Sequence, residues 1–132
     1  MSLKNLTIIP LLVSAIFFLG CGNTAPLLNY TGTPVTTASG NKVKTKQVKK
    51  AILLAGTEKG WQMKDVKPGL IQAEIMVSNL MAKIDIKYTA TTFSITYKDS
   101  SNLRYDGTVI HKRYNHWIRL LNDKIRSKLI QL

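Results

Sequence analysis

Between Trp61 and Lys98, apolar and polar residues alternate in four consecutive segments, and this constrains the fold more than any other feature of the chain. Trp61 and Met63 alternate with Gln62 and Lys64. Ile71, Ala73, Ile75 and Val77 alternate with Gln72, Glu74 and Met76. Ala82, Ile84, Ile86 and Tyr88 alternate with Lys83, Asp85 and Lys87, and Phe93, Ile95 and Tyr97 with Ser94, Thr96 and Lys98. Successive side chains of a strand point to opposite faces, so period two means one buried face and one wet face. Pro68-Gly69 and Ser78-Asn79 mark turns between segments. Such short connections predict a four-stranded antiparallel meander.

On either side of the strands the period changes. Thr45 is placed to cap a helix over about residues 46–59, in which Val48, Ala51, Ile52 and Ala55 share one face. Gly60 supplies the stop. Gly56 inside this helix costs about 1 kcal/mol relative to Ala, so the helix ends early there or packs closely. A longer helix is predicted over about residues 109–130. Its apolar stripe is Ile110, Tyr114, Trp117, Leu121, Ile125 and Leu129, with Arg113, Arg119, Lys124, Arg126 and Lys128 around the rest. Basic residues near its end suit the helix dipole. The order helix, four strands, helix predicts an α+β domain over residues 43–132, with both helices on one face of the sheet as a two-layer sandwich. A chain of 132 residues holds one such domain, and its single Cys excludes a disulfide-stapled scaffold.

The segment before the domain has a different character. Residues 1–20 contain Lys4 and then an apolar run from Ile8 to Gly20, shorter than the roughly 20 residues that span a bilayer core. Charge followed by a short apolar run is the layout of a secretory signal peptide. Residues 21–42 are rich in Gly, Asn, Thr, Pro and Ser, with no charge before Lys42. That composition predicts a flexible tether, with Leu27, Leu28, Tyr30 and Val35 able to dock locally.

Two resemblances follow. Phe18-Leu19-Gly20-Cys21 resembles the lipobox of bacterial lipoproteins. The resemblance implies cleavage before Cys21, a diacylglycerol thioether on its sulfur, and acylation, for example by palmitate, of the freed amine. Gly22 stands where an inner-membrane retention signal has Asp, which by the same resemblance implies an outer-membrane lipoprotein facing the periplasm. No cofactor is implied beyond this covalent lipid. Gly60-Trp61, Pro68-Gly69-Leu70-Ile71, Tyr97-Lys98-Asp99-Ser100, Asn102-Leu103-Arg104-Tyr105-Asp106-Gly107, Ile110-His111 and Tyr114-Asn115-x-Trp117-Ile118 together resemble a family of small uncharacterised proteobacterial lipoproteins. That family carries no assigned activity.

The polar set Asn102, Tyr105, Asp106, His111, Tyr114 and Asn115 is the candidate binding or structural motif. Two uses are open. Asn102 or Asp106 fixes the loop and caps the helix through backbone hydrogen bonds, or Tyr97, Tyr105, His111 and Tyr114 form an edge that binds a small molecule or glycan. His111 and His116 are five apart and diverge by about 140° around a helix, unlike ligand pairs at i, i+4, so no metal site is expected. No nucleophile elbow, phosphate loop or Cys–His pair occurs, so an enzyme is not expected. A hydrolase would need two convergent groups from Glu74, Asp85, Asp99 and Asp106.

The chain carries 19 Lys+Arg against 7 Asp+Glu, and loss of Lys4 with a signal peptide leaves eighteen against seven, a net charge of +11. The basic surface comprises Lys42, Lys44, Lys46, Lys49 and Lys50, with Arg119 and Arg126 on the final helix. No aromatic stacking platform accompanies it, so nucleic acid is not the expected partner. The expected partners are the membrane, through the lipid, and anionic lipid or an acidic envelope protein. The reading is a non-enzymatic, lipid-anchored envelope protein acting as a structural or interaction module.

Overall fold

The computed structural model describes residues 22–132; the signal-like run and Cys21 lie outside the described residues. Strands β3 (Gln62–Lys67), β4 (Leu70–Val77), β5 (Leu80–Tyr88) and β6 (Thr92–Ser101) form the expected meander in chain order. Ile71, Ala73, Ile84, Ile86, Phe93 and Ile95 all turn to its buried face. Opposite them Gln72, Glu74, Lys83, Asp85, Ser94 and Thr96 turn outward, with Glu74 across from Lys83 in the register. Helices α1 (Thr45–Glu58) and α2 (Lys112–Ile130) contribute Val48, Ile52, Ala55, Ile118, Leu121 and Ile125 to the same core cluster as the inward sheet face. The fold class is α+β, as the periodicity predicted.

The sheet has five strands, not four. Strand β2 (Tyr30–Pro34) joins the free edge of β6 and gives the order β2-β6-β5-β4-β3. A second, two-stranded sheet pairs β1 (Thr24–Pro26) with β7 (Val109–His111). β7 comes from the expected start of the C-terminal helix, and β1 and β2 from residues expected as a flexible tether. The composition of that segment conceals them, because β1 and β2 are held through backbone groups and not through an alternating apolar face. Leu27 N–H donates to the Thr108 carbonyl at 3.0 Å, Val35 N–H to Thr91 at 2.8 Å, and Ala38 N–H to Ile130 at 2.9 Å. Gly32 at φ 63° and a register shift between Tyr30 and Thr33 bend β2 away from regular alternation. Residues 24–38 are therefore a strap bound across the domain.

The helices also differ at their ends. Lys44, not Thr45, is the N-cap of α1, and its backbone N–H donates to Gln47 Oε1 at 2.8 Å. This is half of a capping box. Gly60 at φ 86° closes the helix as expected, with Trp61 N–H donating back to the Gly56 carbonyl at 2.9 Å. Gly56 is buried, and a Cβ there would overlap the Met63 thioether on β3, so close packing explains the glycine. The first residues of the expected C-terminal helix are β7, because β1 pairs with them. The helix starts at Lys112 under a His111 cap. Its buried face keeps the expected Tyr114, Leu121, Ile125 and Leu129 but is wider: Ile118 is fully buried, Trp117 sits at the margin, and Asn115 and Asn122 turn inward.

Candidate functional site

The candidate motif occupies the corner where the loop after β6 meets β7 and the start of α2. Asn102, at φ 61°, donates through Nδ2 to the Asn79 carbonyl at 2.7 Å and so ties this loop to the β4–β5 turn. Asp106 Oδ1 accepts from the N–H groups of Thr108 at 2.9 Å and Val109 at 2.8 Å. These donors, Val109 first, hold its carboxyl below the usual carboxylate range. His111 Nδ1 accepts from Arg113 N–H at 3.0 Å. Asp106 and Asn102 thus fix the loop through backbone groups, while the cap itself comes from His111.

Three tyrosines do come together. The Tyr97 and Tyr105 rings are 4.2 Å apart between centroids, and Tyr114 meets Tyr97 edge-on at 5.7 Å. The Tyr97 hydroxyl pairs with Ser100 Oγ at 2.8 Å, and burial raises its pKa despite that bond. Tyr114 is fully buried and its hydroxyl has no hydrogen-bond partner among the described residues. Burial, first, and the two neighbouring phenols hold it protonated far above the usual phenol range. An unsatisfied buried hydroxyl costs about 1–3 kcal/mol. Tyr114→Phe is therefore expected to stabilise the protein by about 1 kcal/mol, raising its thermal midpoint by roughly 4–8 °C. A melt in which the midpoint falls would refute this account of Tyr114.

Asn115 has a role the sequence did not assign. It is 4% exposed, its Oδ1 accepts from Leu28 N–H at 3.0 Å, and its Nδ2 donates to the Pro26 carbonyl at 2.8 Å. It bolts the strap to α2. Asn122, also buried, leaves its Oδ1 without a partner among the described residues. Its side-chain polarity has no structural explanation.

The carboxylates are dispersed. Asp85 lies 3.9 Å from Lys98 Nζ, and Asp99 Oδ1 accepts from the N–H of Ser100. Glu58 binds Lys128 at 2.6 Å and Lys124 at 3.1 Å, and those hydrogen bonds lower its pKa. Among the described residues no three His, Cys, Asp or Glu side chains group as metal ligands, and His116 is exposed. In the basic set, Lys49 pairs with Asp65 at 3.1 Å. Lys42, Lys44, Lys46, Lys50, Arg119 and Arg126 are exposed. Open grooves of about 390 Å³ and 560 Å³ run along the outer sheet face beside Lys64, Gln72, Lys83, Lys87 and Lys98. Neither groove is lined by His111 or by the tyrosine cluster.

Pairing of β1 with β7 brings forward residues that sequence reasoning left aside. Lys112 N–H donates to the Asn23 carbonyl at 2.7 Å, so the first of the described residues lie beside Lys112, Arg113 and Arg104. No alternation or motif announces β1, and the pairing of so short a strand had no signal in the sequence. Among the described residues no helix is long and apolar enough to cross a membrane. Comparison with family models, curated proteins and solved structures finds no match to this chain.

Proposed function

We propose that this chain is a lipid-anchored, non-enzymatic protein of the bacterial envelope, its α+β domain serving as an interaction module at the periplasmic face of the outer membrane. The observation that carries the reading is Cys21, the only thiol, directly behind an apolar run too short to span a bilayer. Two or more acyl chains on that residue give stable anchoring where one gives marginal binding. With β1 beginning at Thr24, a domain anchored in this way rides close to its lipid. The tyrosine stack is what favours the alternative, a small-molecule or glycan-binding edge. Against it, His111 is engaged as a helix cap and the two grooves lie on the outer sheet face.

Cys21→Ser in the full-length chain is the direct test. The expected result is accumulation of uncleaved precursor, no incorporation of labelled fatty acid, and loss from the outer-membrane fraction. Unchanged processing and fractionation would end the lipoprotein reading. Crosslinking of the wild-type protein in cells, followed by capture, is the matching test of the interaction role. A defined envelope protein is the expected product, and a clean negative counts against the module.

A further inference from the structure

Resting on the lipid-anchor reading, we propose that the N-terminal end of α2, formed by Arg104, Lys112 and Arg113 with Tyr105 beside them, is the face that contacts the bilayer, and that it binds anionic phospholipid headgroups. The first argument is position. Lys112 N–H is bonded to the Asn23 carbonyl, and two residues of chain reach at most about 7 Å. An acylated Cys21 therefore enters the bilayer next to this end of the domain and not at the far end of a long leash. His111 pairs with Thr24, and Leu103 accepts from His111 N–H at 2.8 Å, so Arg104 belongs to the same corner.

The second argument is the chemistry of the corner. Arg104, Lys112 and Arg113 are exposed, and among the described residues none forms an ion pair with a carboxylate. The only acid in their loop, Asp106, is turned onto the Thr108 and Val109 N–H groups. Two cations in the first turn of a helix oppose its dipole, and the first turn of α2 holds no acid to offset them. Arg104 sits at φ 55°, a conformation that costs a bulky L residue and suits glycine. Neither choice serves stability. Both place positive charge where the anchor emerges, and Tyr105, 37% exposed, adds the amphipathic ring favoured at a membrane interface.

The third argument separates this end from the other basic cluster. α2 has 19 residues, so its ends lie about 28 Å apart. At its C-terminal end Gln131 and Leu132 share a cleft with Gln47 and Lys50 of α1. With α2 end-on to the bilayer, Lys42–Lys50 stand beyond the screening length of about 8–10 Å and face away from the lipid.

The test uses the full-length protein, processed in cells and reconstituted in vesicles of phosphatidylcholine with or without phosphatidylglycerol. Lysine amines are labelled and read by mass spectrometry, and the N-terminal peptide of the same sample reports the lipid on Cys21. Lys112 is expected to label about fivefold more slowly in the anionic vesicles, with Lys50 unchanged, and salt at about 1 M should abolish the difference. Equal labelling of Lys112 in both vesicles, with lipid present on Cys21, overturns the headgroup proposal and leaves the anchor standing; the cations would then serve a protein partner. Protection of Lys50 in place of Lys112 overturns the orientation. An N-terminal peptide without lipid overturns the anchor, and this proposal with it.

Discussion

Replacing Asn115 with Ala should destabilise the protein by about 2–4 kcal/mol and release the strap ahead of β2. The side chain satisfies two backbone groups at once, Leu28 N–H and the Pro26 carbonyl, across more than eighty residues of sequence. Truncation orphans both, and each partly buried orphan costs about 1–3 kcal/mol. Repacking cannot recover the loss, because an alanine methyl offers neither donor nor acceptor. Chemical denaturation gives the magnitude. Limited proteolysis gives the place, with new cleavage expected between Leu27 and Tyr30 while the sheet stays resistant. A variant that loses less than about 0.5 kcal/mol and gains no cleavage site would show that β1 and β2 hold without the clamp. If the proposed anchor is correct, the same variant also converts a closely held domain into one on a loose leash.

Ile84→Ala should cost about 3–5 kcal/mol, the upper part of the range for core truncation. Ile84 is fully buried on β5, the middle strand of the sheet, between Ala73 of β4 and Tyr97 of β6 in the register. Ala73 is already small, so the cavity cannot be filled from that side. The other neighbour is pinned, because Tyr97 packs against the tilted Tyr105 ring, meets Tyr114 edge-on and is hydrogen-bonded to Ser100. Ile84 also borders the register shift that follows Lys83, where the strand has least freedom to slide. Ile84→Val, which removes one methylene, should cost only about 0.5–1.5 kcal/mol. Equilibrium unfolding of the pair checks the account. Similar costs for both variants would mean that the β5 region relaxes where the packing says it cannot.

These two residues also mark what sequence could and could not supply. Ile84 was legible because strand alternation is a local signal, written at positions two apart. The helical stripes were legible for the same reason, although the buried face of α2 is wider than its stripe, with Trp117 at the margin and Ile118 inside. Asn115 was visible as a polar residue near the stripe, yet its partners are backbone groups of Pro26 and Leu28, which carry no side-chain signature. The strap was hidden by the same cause. Its Gly, Thr and Pro content predicts mobility, while its order comes from main-chain bonds to Thr91, Thr108 and Ile130 and from Leu27, Leu28, Tyr30 and Val35, which dock on the core as expected. The candidate motif divided along this line. Asp106 and His111 act locally on loop and helix, Asn102 and Asn115 reach backbone groups distant in sequence, and only the tyrosines meet as a cluster.

The addition of β2 to β6 has a consequence for crowding. Molecules confined to a surface meet copies of themselves at far higher local density than in solution, and an open strand edge is a template for lateral polymerisation. β2 pairs along Thr92–Ile95, the first part of β6, and presents there a short outer edge carrying Gly32 and ending at Pro34. At the opposite margin β3 bears Lys64 and Lys67 and is broken by an irregularity after Asp65. The strap therefore does more than tie its own end of the chain to the domain: it shortens the strand edge through which one copy could pair with another.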